Sequence, residues 1–440
     1  MSAVVAASRA DPRLALFGGT PVRRGSLSPW PHFDESEIEE VTRVLRSGQV
    51  NFWTGTECRA FEQEFANHCR VEFAVSVFNG TVALELALHA LGIGPGDEVV
   101  VSPRTFMASV SCIVMRGAIP VFADVDPVSQ TTTAETIRAV LTPRTRAIIA
   151  VHLAGWPCDM DSIVTLAREH ELVVIEDCAQ AHGALYKGRP IGSLGDVGAF
   201  SFCQDKIMTT GGEGGMLVTN RRDVWERAWA YRDHGRSYAA VYEGEHVPGF
   251  RWLFESFGTN WRMTEMQAAI GRLQLRNSLS TWVHRRRQNA AVLTECFRHW
   301  PALRVTEPPN HVYHSYYKYY CFIRPELLRD GWNRQRILMA IEAEGIPGLS
   351  GSCSEVYLEK AFDNASWRPK RRLPVARELG ETSLMFLVHP TLAPEEIVDT
   401  CGIVEKVLAV ASRPDGMSAR HTPASTEATS AETLENLSAA

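Results

Sequence analysis

The sequence has few of the short motifs that announce a particular chemistry. No GxxxxGK(S/T) stretch occurs, which argues against a P-loop nucleotide hydrolase. The ten cysteines are dispersed and form no CxxC pair, so neither a zinc site nor a disulfide framework is predicted, and we expect no metal site. Dispersed cysteines of this kind are typical of cytoplasmic proteins, whose thiols stay reduced.

Strong charge and long apolar segments are also scarce. The chain has 45 basic and 51 acidic residues, and this net charge of -6 is unlike that of proteins that bind nucleic acid through its phosphates. The run Arg285-Arg286-Arg287 predicts a solvated helix face, with a phosphate-bearing ligand as the alternative. No segment resembles a signal peptide or a membrane span. We therefore expect a cytoplasmic protein that binds neither nucleic acid nor membranes.

What is present is enough apolar sequence for a large core. With 440 residues, 45% of them hydrophobic, the chain predicts two domains, at 34–275 and 276–411. Residues 1–33, rich in Pro, Gly and Arg, predict an irregular arm. The Ser-, Thr-, Ala- and Glu-rich stretch 412–440 has no aromatic residue and predicts a disordered tail.

Short apolar runs alternate with helical segments from residue 71 onward. The runs that predict strands are 73–78, 98–103, 119–125, 147–153 and 172–177. Nearly continuous apolar strands separated by helices predict an α/β fold with a mainly parallel sheet covered on both faces. The pattern after residue 275 predicts a smaller α+β domain. In parallel sheets, ligands bind at the carboxyl ends of the strands.

Two of these strand ends carry groups that could hold a flat, anionic ligand. In FNGTVAL, the turn before a helix exposes amides that can bind an anion, and Gly80 lets a phosphate approach the backbone. In SPRTFMAS, Phe106 lies at the mouth of a strand and could stack on a ring. An ordinary turn and core packing are the plain alternatives.

Two further positions add an acid and an amine. Asp177 ends the buried strand LVVIED, where a carboxylate needs a cationic partner unless it only caps the next helix. Lys206 lies between an apolar run and GGEGG in AFSFCQDKIMTTGGEGG. Those glycines run into the strand MLVTN, so they form a tight turn and not a dinucleotide fingerprint, which must open a helix. A surface lysine that begins a turn is the alternative.

An anion cradle, a stacking aromatic ring, a buried acid and a lysine are together what pyridoxal phosphate requires. The lysine forms a Schiff base with the cofactor, and the acid keeps the pyridine nitrogen protonated. Gly80, Thr81 and Ser201 could supply the phosphate site.

Longer motifs then make the sequence recognisable. They are NGTVALELAL, GIGPGDEVVVSPRTF, PVFADVD, TPRTRAIIAVHLAG, VIEDCAQAHGA, FSFCQDKIMTTGGEGG and GTNWRMTEMQAAIG. With them the chain resembles the DegT/DnrJ/EryC1/StrS family of sugar aminotransferases, a branch of the fold-type I pyridoxal phosphate enzymes. The resemblance covers about residues 30–410.

The resemblance implies a role for each matching position near the cofactor ring. Lys206 would carry the Schiff base, and Asp177 would face the pyridine nitrogen. Gln180 would reach the ring hydroxyl oxygen, and Phe106 would stack on the ring. Some relatives are dehydratases with histidine in place of the lysine, and Lys206 argues against that branch.

The same resemblance implies a shared phosphate site. Gly80, Thr81 and Ser201 would bind the phosphate within one chain. Asn260, in GTNWRM, would reach the phosphate bound by the neighbouring subunit, which implies a homodimer with shared active sites. His182, His314 and Tyr317 are further candidates. Arg232, His234 and Arg236 of the YRDHGRS segment could contact a charged substrate, but the segment is interpreted as a solvated loop.

The resulting hypothesis is an aminotransferase that moves an amino group from glutamate or glutamine to a keto sugar, on a nucleotide diphosphate carrier, for amino-sugar biosynthesis. An aminotransferase of a free cyclitol ketone, of the scyllo-inosose type, is the nearest alternative. A pyridoxal phosphate-binding regulatory protein without turnover is the alternative from another class. The carbon that is aminated, the pathway and any assembly beyond a dimer stay open.

Overall fold

The structure of the chain is a computed structural model that describes residues 12–244, 249 and 251–413. Its α-helices are α1 (Glu35–Ser47), α2 (Glu57–Cys69), α3 (Gly80–Ala90), α4 (Ala108–Met115), α5 (Ala134–Arg138), α6 (Met160–Glu169), α7 (Arg222–Arg232), α8 (Tyr238–Tyr242), α9 (Glu265–Leu273), α10 (Leu279–Phe297), α11 (Arg334–Ala343), α12 (Pro374–Thr382) and α13 (Pro394–Ala411). A π-helical turn, Gln274–Ser278, joins α9 to α10.

The strands fall into one large and two small sheets. They are β1 (Phe73–Val77), β2 (Glu98–Val101), β3 (Ile119–Phe122), β4 (Thr145–Val151), β5 (Val173–Asp177), β6 (Leu185–Tyr186), β7 (Arg189–Pro190), β8 (Val197–Ser201), β9 (Gly215–Thr219), β10 (Leu303–Val305), β11 (Val312–Tyr313), β12 (Tyr319–Ile323) and β13 (Ser383–Phe386). The strand orders are β1-β9-β8-β5-β4-β2-β3, β10-β12-β13 and β11-β6-β7.

In the large sheet, β9 alone is antiparallel to its neighbours, β1 and β8. The other pairings, β8-β5, β5-β4, β4-β2 and β2-β3, are parallel. The carboxyl ends of six strands therefore meet at one edge of the sheet, which we call the active edge. Because β9 runs the other way, the loop 202–214 between β8 and β9 lies at this edge.

Both faces of the large sheet are buried, as the apolar strand sequences predict. Val99 and Val101 of β2 pack into an apolar cluster with α3 and α4, while Val100 packs on the other face against α6. This arrangement confirms the predicted α/β class. A separate apolar core joins the β10-β12-β13 sheet to α10, α11 and α13. The domain boundary at 275/276 stays a prediction, because helix runs continuously across it.

The ends of the chain are described only in part. Residues 1–11 of the predicted arm and 414–440 of the predicted tail lie outside the described residues. Leu14 is buried in the core of the small sheet, and Arg23 forms ion pairs with Glu396 and Asp399 of α13. Ser412 is buried and pairs with Leu328. None of the described helices is long and apolar enough to cross a membrane.

Candidate active site

The first component of the site is the start of α3 at the active edge. Asn79 caps the helix, and its side chain accepts a hydrogen bond from the amide of Val82 at 3.0 Å. A Cβ atom at Gly80 would overlap the side chain of Ser201 at the end of β8, so only glycine allows this close approach. Gly80 and Ser201 are thus brought together as predicted, and the first-turn amides of α3 can bind an anion. Thr81, also in this turn, is exposed.

Lys206 lies on the β8–β9 loop, five residues before a pair of glycines that turn the chain. Gly211 and Gly212 have φ values of 83° and 124°, which favour glycine. The indole Nε1 of Trp30 donates a hydrogen bond of 2.9 Å to the Lys206 carbonyl oxygen, and this bond restrains the backbone at Lys206. The half-buried Lys206 side chain places Nζ 4.9 Å from the centre of the Tyr317 ring.

Asp177 ends β5 next to β8 and is 5% exposed. Its Oδ2 accepts a hydrogen bond of 2.7 Å from the Ser109 hydroxyl, and its Oδ1 accepts one of 3.1 Å from the Ala179 amide. Ser109 in turn contacts the Thr105 hydroxyl at 2.8 Å. These donors hold a buried carboxylate in one orientation and leave it lone pairs for a protonated ring nitrogen.

Gln180 is held by the loop after β4. Its Oε1 accepts a hydrogen bond of 2.9 Å from the Ala154 amide, so the side-chain NH₂ group is directed elsewhere as a donor. Ala154 has a φ of 57°, and the next residue, Gly155, has a φ of 97°. Two consecutive left-handed residues turn the Ala154 amide toward Gln180.

Phe106 and Asn260 lie on the surface of the single chain. Phe106 is 69% exposed at the active edge, so its ring face is available for stacking. Asn260 is exposed, and within the described residues no hydrogen bond joins its side chain to Lys206 or Asp177. The segment beside it contacts the start of the site, because the Trp261 carbonyl accepts a hydrogen bond of 2.9 Å from the Phe78 amide.

Two histidines in the region are buried and uncharged. His182 is 1% exposed between the rings of Phe200 and Phe202, and burial, reinforced by the charge of Lys206, lowers its pKa to about 3. Burial also lowers the pKa of His314 to about 3, with a smaller contribution from Arg287. Both are neutral at physiological pH, which suits packing better than proton transfer.

A buried group of His152, Glu176 and Cys178 has the spacing of metal ligands. Glu176, however, accepts hydrogen bonds from the amides of Gly192, Leu194 and Gly195. His152 Nε2 lies 3.0 Å from the same carboxylate, and its Nδ1 accepts from the amide of Cys158. These atoms already take part in hydrogen bonds, and those of Glu176 hold the loop that precedes β8 against β5.

Two predictions about arginines are wrong. Arg286, interpreted as part of a solvated helix face, is 1% exposed, and its Nη1 donates to the Tyr317 carbonyl at 3.1 Å. Arg232, interpreted as part of a solvated loop, ends α7 fully buried and forms a 2.7 Å ion pair with Glu62. Charge alone suggested exposure in both cases, whereas helical periodicity places each of them on an inward face.

The sequence did not predict several side chains that contact the site. Ser109 and Trp30 contact Asp177 and Lys206 from 68 and 176 residues away. No local pattern predicts such pairs. Asp205 accepts a hydrogen bond from the Tyr317 hydroxyl, and the amine of Lys318 lies 4.7 Å from the centre of the Tyr317 ring. Tyr317 and Lys318 directly precede β12, and only the fold brings them beside Lys206.

The residues fit pyridoxal phosphate. The overlap that a Cβ at Gly80 would cause shows that the start of α3 packs closely on Ser201, so the first-turn amides that can bind an anion lie beside the Ser201 hydroxyl, and Asp177 retains lone pairs for a ring nitrogen. Within the described residues, no ion pair or hydrogen bond occupies the amine of Lys206. The first-turn amides of α3 can therefore bind a phosphate, and Asp177 can accept a hydrogen bond from a pyridinium nitrogen. The amine of Lys206 can react with an aldehyde carbon.

Three known proteins show what the chain is similar to. An aminotransferase from Psychrobacter cryohalolentis, solved by X-ray methods, is 55% identical, with 87% of this chain and 99% of that chain covered and a TM-score of 0.85. GDP-perosamine synthase from Caulobacter vibrioides is 48% identical over 245 residues, 56% of this chain and 63% of that protein. A Streptoalloteichus tenebrarius protein is 38% identical over 342 residues, 76% of this chain and 78% of that protein. It is provisionally described as an L-glutamine:3-amino-2,3-dideoxy-scyllo-inosose aminotransferase.

The sequence model of one family, described as the DegT/DnrJ/EryC1/StrS aminotransferase family, matches residues 31–405. Solved structures of fold-type I aminotransferases share the architecture, which confirms the predicted fold type. The chain therefore belongs to the DegT/DnrJ/EryC1/StrS aminotransferase family and is an enzyme that transfers amino groups.

Proposed function

We propose that this aminotransferase uses pyridoxal phosphate to move an amino group from glutamate or glutamine to a keto sugar carried on a nucleotide diphosphate. The observation that carries the proposal is the gathering of Lys206, the Asp177–Ser109 pair and the Gly80 turn at the active edge. Support for the acceptor class comes from the relative named GDP-perosamine synthase.

Each residue of the site has a task in this reaction. When bound, pyridoxal phosphate supplies an electron sink conjugated to the reacting carbon. Lys206 would hold the cofactor and would move a proton at the reacting carbon. Asp177, oriented by Ser109, would keep a proton on the ring nitrogen, while Gly80, Thr81 and Ser201 would hold the phosphate.

A homodimer with shared sites is part of the proposal. Phe78 and Phe106, at the active edge, are 51% and 69% exposed, and Phe254 and Phe257, near Asn260, are 52% and 98% exposed. Large exposed aromatic side chains of this kind commonly mark a protein interface. We propose that a second copy covers them and that Asn260 reaches the phosphate of the partner's site.

A free cyclitol ketone is the second candidate acceptor. The observation that favours it is the similarity to the Streptoalloteichus tenebrarius protein, whose provisional name includes a scyllo-inosose. A regulatory protein that binds pyridoxal phosphate without turnover is disfavoured, because the chain belongs to an aminotransferase family and has the lysine that turnover requires.

The first experiment is a visible absorption spectrum of the purified protein with pyridoxal phosphate, before and after L-glutamate or L-glutamine is added. We expect a yellow absorption band that fades when either donor is added. The Lys206→Ala variant should lack the lysine-bound form of the cofactor. Adding a nucleotide-linked keto sugar to the donor-treated enzyme should restore the band. Recovery with scyllo-inosose alone would establish the cyclitol alternative, and no band at all would refute the proposal.

A further inference from the structure

Three cationic side chains surround Tyr317, beside the candidate Schiff-base lysine. The ammonium nitrogens of Lys206 and Lys318 lie 4.9 and 4.7 Å from the centre of the Tyr317 ring. Arg286 of α10 donates a hydrogen bond of 3.1 Å to the Tyr317 carbonyl. The loop after β8 and the start of β12 thus place two primary amines around one aromatic ring.

The negative charge near this group does not balance it. Asp205 accepts the hydrogen bond of the Tyr317 hydroxyl and is the carboxylate that acts on Lys318. Within the described residues, neither Lys206 nor Lys318 forms an ion pair, and Nε and Nη2 of Arg286 have no hydrogen-bond partner. Cations held away from water without anions are costly, so this group of side chains is suited to a negatively charged ligand.

Burial lowers the pKa values of both Lys318 and Arg286. Burial, and then the charges of Arg286 and Lys206, lower the pKa of Lys318 to about 8 against the opposing effect of Asp205. Burial lowers the pKa of Arg286 to about 9. An anion placed between these groups would be attracted strongly, because few solvent molecules screen the charges.

Lys318 and Arg286 differ in whether a ligand can reach them. Arg286 is 1% exposed beneath the ring of Trp30, whose centre lies 5.0 Å from the guanidinium carbon. It therefore acts as a fixed background charge. Lys318 is only partly buried, and its amine lies on the same aromatic ring as the amine of Lys206. Of the two, Lys318 is the group that a small ligand can contact.

We propose that Lys318 binds the α-carboxylate of the amino-acid donor while the donor's amino group meets the cofactor at Lys206. The assignment rests on the proposed function. In an α-amino acid, the carboxylate is attached to the carbon that bears the reacting amine, so its receptor must lie beside the lysine that is displaced. Two amines around one ring satisfy this requirement, and the charge of the carboxylate balances that of Lys318.

The proposal has a pH consequence with a definite sign. Lys318 binds a carboxylate when protonated, so donor affinity should be highest well below pH 8 and fall as the pH rises through about 8. Asp205, Lys206, Arg286 and His389 are the other charged or titratable groups that act on this position. His389 stays neutral over this range, because burial lowers its pKa to about 3.

The test measures how the absorption band of the holoenzyme responds to two isomeric donors. L-Glutamine has an α-carboxylate, whereas isoglutamine has an α-carboxamide and keeps its carboxylate on the side chain. We expect Lys318→Met to raise the half-saturating concentration of L-glutamine about 10- to 100-fold, with little change in the maximal rate. Isoglutamine should be a poor donor for the wild type, and Lys318→Met should not change its half-saturation.

Controls separate a charge effect from loss of structure. Lys318→Arg should restore much of the affinity for L-glutamine and abolish its decline near pH 8, because arginine stays protonated. Lys360→Met, which removes an exposed lysine, should change neither quantity. Calorimetry with glutarate, a dicarboxylate that cannot react, should show weaker binding to Lys318→Met than to the wild type.

The outcomes distinguish the two hypotheses. An equal loss for both donors in Lys318→Met, or no loss for L-glutamine, would overturn the assignment of Lys318 while leaving the aminotransferase intact. A wild-type band that no amino acid alters would overturn the proposed function, and the assignment with it.

Discussion

At the scale of single residues, the orientation of Asp177 depends on a hydroxyl group 68 positions earlier in the chain. The Ser109 hydroxyl donates to Oδ2 of a carboxylate that is 5% exposed. Hydrogen bonds to charged groups contribute about 1.5–3 kcal/mol, because the alternative is a buried charge with an unsatisfied lone pair.

Ser109→Ala should therefore weaken the binding of pyridoxal phosphate about 10- to 100-fold. The measurement is a titration of the cofactor-free protein, followed by the visible band. Ser111→Ala is the matched control, since the Ser111 hydroxyl lies on the same helix but donates to the Met107 carbonyl. Equal affinities of Ser109→Ala and the control would show that Ser109 does not support the ring-nitrogen partner.

Functional residues were predictable where a characteristic residue type occurs at the end of a strand. They were not predictable where a contact depends on the whole fold. Lys206 and Asp177 could be selected from AFSFCQDKIMTTGGEGG and LVVIED alone. Trp30 could not, because its contact with the Lys206 carbonyl joins positions 176 residues apart. Arg286 was misplaced because a run of three arginines suggests solvent, although one position in the run faces the core.

At the scale of elements, the site is formed where α3 begins against the end of β8. Strands β1 to β5 were predictable because each is a short apolar run, and β2 and β5 begin within one residue of the predicted positions. The antiparallel direction of β9 was not, since an apolar run has the same pattern in either direction. Because β9 begins at the active edge and runs away from it, the whole loop that carries Lys206 lies at that edge.

Gly80→Ala should separate these two elements. Its Cβ would overlap the Ser201 side chain, and overpacking of this kind costs about 1–3 kcal/mol of unfolding free energy. The phosphate site is lost with it, so cofactor affinity should fall as well. Ser201→Gly in the same chain removes the overlapping atoms and should restore much of the stability, but not the contact of the Ser201 hydroxyl with the phosphate.

Gly402→Ala is a control substitution for which the opposite effect on stability is expected. Gly402 lies within α13, and a Cβ there would have no atom within 4 Å. Alanine should stabilise the protein by about 0.5–1 kcal/mol, because glycine loses more backbone freedom in a helix. Denaturant unfolding of both variants measures the difference. A Gly80→Ala protein as stable as the wild type would contradict the close approach of α3 and β8.

At the scale of the whole molecule, the site of one chain is open on the side where Phe106 is exposed. Asn260, assigned by resemblance to the phosphate, has no described hydrogen bond to the site of its own chain. The proposed dimer accounts for both facts at once, since two-fold symmetry brings the Asn260 segment of each chain to the site of the other. The proposal therefore predicts that neither chain alone is a complete enzyme.

Mixed dimers test this prediction. Lys206→Ala and Asn260→Ala should each be nearly inactive as homodimers. If Asn260 acts across the interface, a mixed dimer has one site with an intact Lys206 from one chain and an intact Asn260 from the other. After subunit exchange of equal amounts, random pairing should restore roughly one quarter of the wild-type activity, since half of the dimers have one intact site of two.

If Asn260 instead acts within its own chain, every site in the mixture lacks either the lysine or the asparagine, and exchange restores nothing. Subunit exchange must be verified independently, by native mass spectrometry of the mixture, so that an inactive mixture is informative. Phe257→Asp, at the 98% exposed ring, is the companion variant. It should shift the protein toward monomers in light scattering and lower its cofactor content in parallel, because a charge in an apolar interface costs free energy on association.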